Sequence, residues 1–143
     1  MPIKKLLRAW KSKRFDARRY YGEGRSTEFL TKSDSTYTIS AGGQVHRTAS
    51  VGKVRTKPEP MGEASMIAGL SEADHVALSR MMALPIGKKA YTPEEIEAMH
   101  SFVLDRGRKP KVGRRVAIVF NPESGRSKPV VVTSVLKAPP KRV

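Results

Sequence analysis

The sequence predicts an α+β protein: a small core of an αα-hairpin packed with a C-terminal β-hairpin, flanked by basic extended arms. Three observations lead there. Two stretches near the middle pair a helix cap with an apolar stripe, the stretch after residue 111 alternates with the period of a strand, and positive charge gathers towards both ends.

The first helix is expected over residues 71–84. Ser71 precedes Glu72 and stands three residues before Asp74, an N-cap arrangement, and Ala77, Leu78, Met81, Met82 and Leu84 form an apolar stripe that ends at Pro85. The second starts at Thr92-Pro93-Glu94-Glu95, with Thr92 as N-cap, Pro93 at the first helical position and Glu95 placed to close a capping box. Ile96, Met99 and Val103 then face inward, Glu97, Ser101 and Asp105 face water, and Gly107 stops the helix. The connection, residues 85–91, is longer than the turn of three or four residues in a DNA-reading helix-turn-helix. Glu94, Glu95 and Glu97 at the leading end of the second helix would also repel phosphates, so the hairpin reads as scaffold.

Residues 112–120 are strand-rich, Asn121-Pro122-Glu123-Ser124-Gly125 is a turn cluster, and residues 129–136 supply the returning strand. Val116, Ile118 and Phe120 alternate on one face; Val131 and Thr133, or Val130 and Val132, supply the partner face, depending on register. An isolated hairpin is marginal in water, so this one must pack on the helices, on earlier strands or on a partner. Val112-Gly113-Arg114-Arg115-Val116 resembles the first strand of small SH3-like barrels of ribosomal and transcription proteins, but that family's internal glycine pattern is missing and no family is assigned.

Upstream, Ile3, Leu6, Leu7 and Trp10 follow one face of a short basic amphipathic helix, which lapses after Trp10. Ser35-Thr36-Tyr37-Thr38-Ile39 and Gln44-Val45-His46-Arg47-Thr48, around Gly42-Gly43, form a hairpin candidate. Residues 51–60 read as an extended basic linker. The layout is therefore a basic N-terminal arm over 1–60, the αα-hairpin over 61–107, the β-hairpin over 108–136 and a basic tail over 137–143.

At 143 residues the chain holds one small domain plus appendages, and 38% hydrophobic with 6% aromatic residues is too lean to pack its whole length. Lys and Arg number 28 against 13 Asp and Glu, a net charge of +15. Residues 1–57 carry 14 basic and 4 acidic side chains (+10), residues 58–105 carry 3 and 8 (−5), and residues 106–143 carry 11 and 1 (+10). Two basic segments around an acidic middle point to a polyanionic partner.

Without cysteine there are no disulfides, no thiolate catalysis and no Cys-based metal sites. The longest aliphatic and aromatic run, residues 116–120, is far short of the roughly 20 residues that cross a bilayer, so no membrane span is expected. The amino terminus lacks the apolar core of a secretory signal, and a soluble protein not exported by a signal peptide is expected; mitochondrial targeting stays open because residues 1–15 are basic and acid-free.

His46, His75 and His100 have no neighbours at metal-ligand spacing, and His100, at i±4 from Ile96 and Leu104, reads as a core or boundary histidine. Glu94 and Glu95 are explained by capping and the helix dipole. Arg47-Thr48-Ala49-Ser50 is a short basophilic pattern read as loop, and neither Gly22-Glu23-Gly24 nor Gly42-Gly43 fits a phosphate loop. No catalytic residue, metal, cofactor or small-molecule substrate is assigned.

The expected function is that of a non-enzymatic, nucleic-acid-associated protein, a component of a ribonucleoprotein or other nucleic-acid-containing assembly with neighbouring proteins. RNA is favoured over DNA, because Trp10, Phe15, Tyr20 and Tyr21 interleave with cations in a way that suits stacking on single strands. The candidate contacts are Lys11, Lys13, Arg14, Arg18, Arg19, Tyr20 and Tyr21 in the first arm, and Arg106, Arg108, Lys109, Lys111, Arg114 and Arg115 in the second basic segment. Such arms resemble in composition those of ribosomal proteins. The alternative is a structural or assembly protein of a larger particle, such as a minor viral particle component, whose arms bind acidic surfaces of neighbouring subunits. A membrane-surface helix over residues 3–15 is a third reading.

Overall fold

Residues 26–121 and 128–142 are described by a computed structural model. Strands β1 (Thr27–Leu30), β2 (Thr36–Ile39) and β3 (Gln44–Thr48) form a meander, a two-residue pair β4 (Ser50–Val51) and β5 (Val54–Arg55) makes a separate small hairpin, and β6 (Glu59–Leu70) follows. Helices α1 (Glu72–Met82) and α2 (Pro93–Arg106) come next, then β7 (Arg115–Phe120), β8 (Val130–Val135) and β9 (Lys141–Arg142). All ladder pairs are antiparallel, in the order β8-β7-β6-β3-β2-β1-β9.

The sheet curls until its two margins meet. Beyond β8 the chain crosses to β1: Thr31 bridges Leu136, Lys137 N donates to Leu30 O (2.8 Å) and Lys32 N to Val135 O (2.9 Å). Further along, β9 pairs Thr27 with Arg142 and Glu28 with Lys141. Residues 136–142 therefore form a seam that fastens β1 to the strand after β7.

The longest strand, β6, joins the two halves, pairing with β3 at its start and β7 at its end. A register shift at Val45/His46 of β3 lies opposite Gly62, whose φ of +119° suits a residue without Cβ. Another irregularity, in the β7–β8 ladder where Thr133 and Ser134 stand opposite Val116, is filled by a side chain: Thr133 Oγ1 accepts from Val116 N (3.1 Å) and donates to Ser134 O (2.7 Å).

Curling gives the sheet an inside and an outside, each with its own apolar cluster. Phe29, Tyr37, Ile39, Val45, Ala64, Ile67, Val116, Ile118, Phe120 and Leu136 fill the concave side. Met66, Ala68, Leu70, Ala117, Val119 and Val130 face the other way and are covered by Leu78 of α1 with Met99 and Val103 of α2. Alternate residues of β7 thus enter opposite clusters, and its last five residues are all buried.

These findings correct the predicted fold class. The αα-hairpin and C-terminal β-hairpin do not make a core by themselves; β7 and β8 are strands of a curled antiparallel sheet that also takes in residues 27–70, and the two helices cover part of its outer face. The physical cause is β6. Glu59-Pro60-Met61-Gly62-Glu63-Ala64-Ser65-Met66-Ile67-Ala68-Gly69-Leu70 has one β-branched residue, a proline and two glycines, and its last five residues are buried on both faces, so neither propensity nor alternation marks it as a strand. Its conformation is imposed by neighbours on either side.

Locally, several elements stand where the sequence puts them. Helix α1 is capped by Ser71, whose hydroxyl accepts from Asp74 N (3.1 Å), and ends at Met82, just short of the predicted Leu84. Helix α2 has the full capping box at Thr92 and Glu95 and ends at Gly107. The β2–β3 hairpin pairs Thr36 with Thr48 and Ile39 with Val45. The predicted helix over residues 3–10 and most of the turn cluster, Pro122-Glu123-Ser124-Gly125, lie outside the described residues. Among those described, no helix is long and apolar enough to cross a membrane.

Candidate nucleic-acid interface

Between α2 and β7 the chain runs as a strap over residues 106–115, and two buried residues hold it down. Gly107 closes α2 by donating its N–H to Val103 O (2.7 Å); a Cβ there would stand 2.5 Å from that oxygen and 2.6 Å from Ala68 Cβ, so only glycine lets the strap lie this close to β6. Arg108 forms an isolated antiparallel bridge with Gly69, its N–H donating to Gly69 O (2.9 Å) and its carbonyl accepting in return. Pro110 is buried, after which a tight turn with Arg114 N on Lys111 O (3.2 Å) leads into β7. Leu136 N on Arg114 O (2.8 Å) ties that turn to the seam.

Because Gly107 and Pro110 point inward, Arg106, Arg108, Lys109, Lys111 and Arg114 are all exposed, and Arg115 is half-buried. All six candidate contacts from the second basic segment are thus gathered on one short, backbone-anchored element. Two face carboxylates. Asp74 Oδ1 lies 3.7 Å from Arg106 Nε, and Glu72 Oε2 lies 3.5 Å from Arg115 Nε, charge contacts too long for strong hydrogen bonds. Arg106 also stacks over Phe102, 4.8 Å from the ring centroid. Arg108 Nη1 donates to the carbonyls of Asp105 (3.2 Å) and Gly107 (2.9 Å), which fixes the guanidinium without neutralising it. Lys109, Lys111 and Arg114 have no ion pair among the described residues.

The strap borders a cavity of about 330 Å³ that Gly69, Leu70, Ser71 and Asp74 also line. Ser71 is the N-cap of α1, so the positive end of that helix dipole opens onto a space already lined by Arg106, Arg108, Lys109, Lys111 and Arg114. Chemically the arrangement favours anions with several oxygens. Among the described residues, no three His, Cys, Asp or Glu side chains gather closely enough to hold a metal ion.

Lys11, Lys13, Arg14, Arg18, Arg19, Tyr20 and Tyr21, the candidates of the first arm, lie outside the described residues. Sequence reasoning finds the strap's cations but misses its wall. Gly69 sits in a strand that carries no strand signal, and the close approach of Gly107 to Ala68 has no local signature. Compared with protein families, with curated proteins and with solved structures, the chain matches none.

Proposed function

We propose that the protein is a non-enzymatic component of a nucleic-acid-containing assembly, with the strap over residues 106–115 as a phosphate-contacting element that acts together with the basic residues Lys11, Lys13, Arg14, Arg18 and Arg19. The observation that carries this reading is the strap itself: six cations on a short segment whose backbone is tied to Gly69 at Arg108, with two carboxylates near them and the amino end of α1 lining the same cavity. Pre-ordering matters, because cations held in place contact phosphate without the ordering cost that a flexible tail carries. RNA is the favoured ligand, on the interleaving of rings and cations at residues 10–21.

The test is the salt dependence of binding. Replacing Lys109, Lys111 and Arg114 together by Gln removes three exposed cations that no described carboxylate pairs with, so the slope of log K against log salt should shrink by about 2–3 units on single-stranded RNA. Affinity should fall alike for every sequence. An unchanged slope, read by fluorescence anisotropy from low to physiological salt, removes the strap from the interface.

The second reading, an assembly protein contacting neighbouring subunits, is favoured by a different observation, the exposed valines between β3 and β6.

A further inference from the structure

Both edges of Gly69 are occupied. Arg108 pairs with it on one side through two backbone hydrogen bonds (2.5 and 2.9 Å), and Val116 stands opposite it in the β6–β7 ladder on the other, with Leu70 opposite Arg115. Residues 109–114 therefore leave one edge of β6 and return on the other, forming an arch across the end of that strand at the point where α1 begins. Glycine suits the crossing, because a Cβ on Gly69 would stand 3.0 Å from Lys109 O and 3.2 Å from Pro110 Cα.

The far side of the arch is fixed as well. Arg114 N donates to Lys111 O (3.2 Å), Gly113 N to Leu136 O (3.1 Å) and Leu136 N to Arg114 O (2.8 Å). The cavity of about 330 Å³ lies between this arch and the first residues of α1, since Lys109, Lys111 and Arg114 line it together with Leu70 and Ser71. With both feet of the arch closed by backbone pairing, a polymer has no passage beneath it and enters only by an end.

Charge specifies the kind of end. Arg106, Arg108, Lys109, Lys111 and Arg114 line the space against one carboxylate, Asp74, whose Oδ1 lies 3.7 Å from Arg106 Nε. The N-cap Ser71 adds the positive end of the α1 dipole. Arg108 Nη1 is engaged by the carbonyls of Asp105 and Gly107, which leaves Nε and Nη2 without a partner among the described residues. A phosphodiester offers one negative charge, whereas a phosphomonoester carries about −1.5 to −2 at neutral pH and three acceptor oxygens. The second kind draws on several cations at a single point.

We infer that this cavity is a pocket for a phosphomonoester, the dianionic phosphate that ends a nucleic-acid strand. The inference rests on the phosphate-contacting reading of the strap and goes beyond it in naming the group that the cavity takes. A 5′-phosphate and a 3′-phosphate share this chemistry.

Three single-stranded RNAs of one sequence, ending in a 5′-phosphate, a 3′-phosphate or hydroxyls at both ends, separate the sources. Each is labelled internally and titrated with the full chain by fluorescence anisotropy at physiological salt. At least one phosphate-ended strand should bind about tenfold or more tightly than the hydroxyl-ended strand, the gain expected of hydrogen bonds to a charged group. Arg108→Gln with Lys111→Gln should bring the three strands to one affinity, with circular-dichroism melts unchanged. If that pair melts early, Lys111→Gln alone should cut the preference by half or more. Lys53→Gln with Lys57→Gln removes as many cations at and after the β4–β5 hairpin and should leave the preference whole. Equal binding of the three strands by the wild type overturns the pocket, while the strap still stands or falls by its salt slope on the hydroxyl-ended strand. A preference that survives the cavity variants, or that falls as far in the Lys53 and Lys57 variant, also overturns the pocket. An end preference beside an unchanged slope in the Lys109, Lys111 and Arg114 variant removes the strap's contacts to the strand interior and keeps the pocket; no binding of any strand overturns both.

Discussion

The two apolar clusters on either face of β6 and β7 differ in where their residues come from. The concave cluster collects side chains from Phe29 to Leu136, nearly the whole described chain, and is aromatic and β-branched; the cluster under the helices draws on residues 66–132 and is rich in methionine. The concave cluster exists only when distant strands have paired. The helix-covered one is assembled from elements that follow one another, and methionine fits such a layer because its unbranched chain fills the irregular gaps between helix and sheet. The inner cluster therefore ties distant strands together, and the outer one should be the layer that loosens first.

The largest effects should separate the two. Phe120→Ala, which empties a fully buried site on the concave side, should cost about 3–5 kcal/mol, with helix and sheet signals lost in one transition on urea denaturation. Met99→Ala, buried just as deeply on the other side, should cost about 2–5 kcal/mol, but native-state hydrogen exchange should show α1 and α2 amides opening ahead of β1, β2 and β3. Equal loss of protection in both groups would mean that the layers are one cooperative unit.

Acid should attack the outer layer as well. Burial pushes His100 down to about 4 from its ordinary 6.5, against an upward pull from Glu97. The unfolded chain then takes up a proton near pH 6.5 that the folded chain refuses until about pH 4. The neutral imidazole's contribution is whole above 6.5 and is lost as pH falls towards 4, a total of ~3 kcal/mol. His100→Gln should flatten that part of the stability profile, measured by denaturation at pH 7, 5.5 and 4.5; an unaltered slope assigns the acid sensitivity elsewhere.

The smallest effect concerns the start of α2. Thr92 Oγ1 accepts from Glu95 N (3.2 Å), while Glu95 Oε1 accepts from Thr92 N (2.8 Å) and Lys88 Nζ (2.6 Å), contacts that hold the Glu95 carboxyl below its usual range, Lys88 foremost. Thr92→Ala should cost about 1 kcal/mol by thermal melting, and its exchange signature should stay within the helical layer.

The same division explains what the sequence reveals. Ser71 and Thr92-Pro93-Glu94-Glu95 announce their helices because a cap is satisfied within a few residues. Gly42-Gly43 marks the β2–β3 turn, and Val116, Ile118 and Phe120 show their alternation, for the same reason. Nothing near Met66 or Ala68 says that a strand will lie on each side of them. Nor does Phe29, in a four-residue strand, say that it belongs with Leu136. For the candidate interface, the cations at residues 106–115 are legible as composition, but their anchoring is a contact between Gly69 and Arg108 that only the folded sheet brings together.

The seam over residues 136–142 also sets an order of events during synthesis. Its partners in β1 leave the ribosome more than a hundred residues earlier, as the pairing of Thr27 with Arg142 shows. Until the last of these residues emerges, the edge of β1 turned away from β2 carries backbone donors and acceptors with no strand to meet them, a template for pairing with another nascent chain. Contacts of such sequence separation make folding slow, since the chain's loop entropy must be overcome before they form. The interval between making β1 and sealing it is when this protein is most exposed to aggregation.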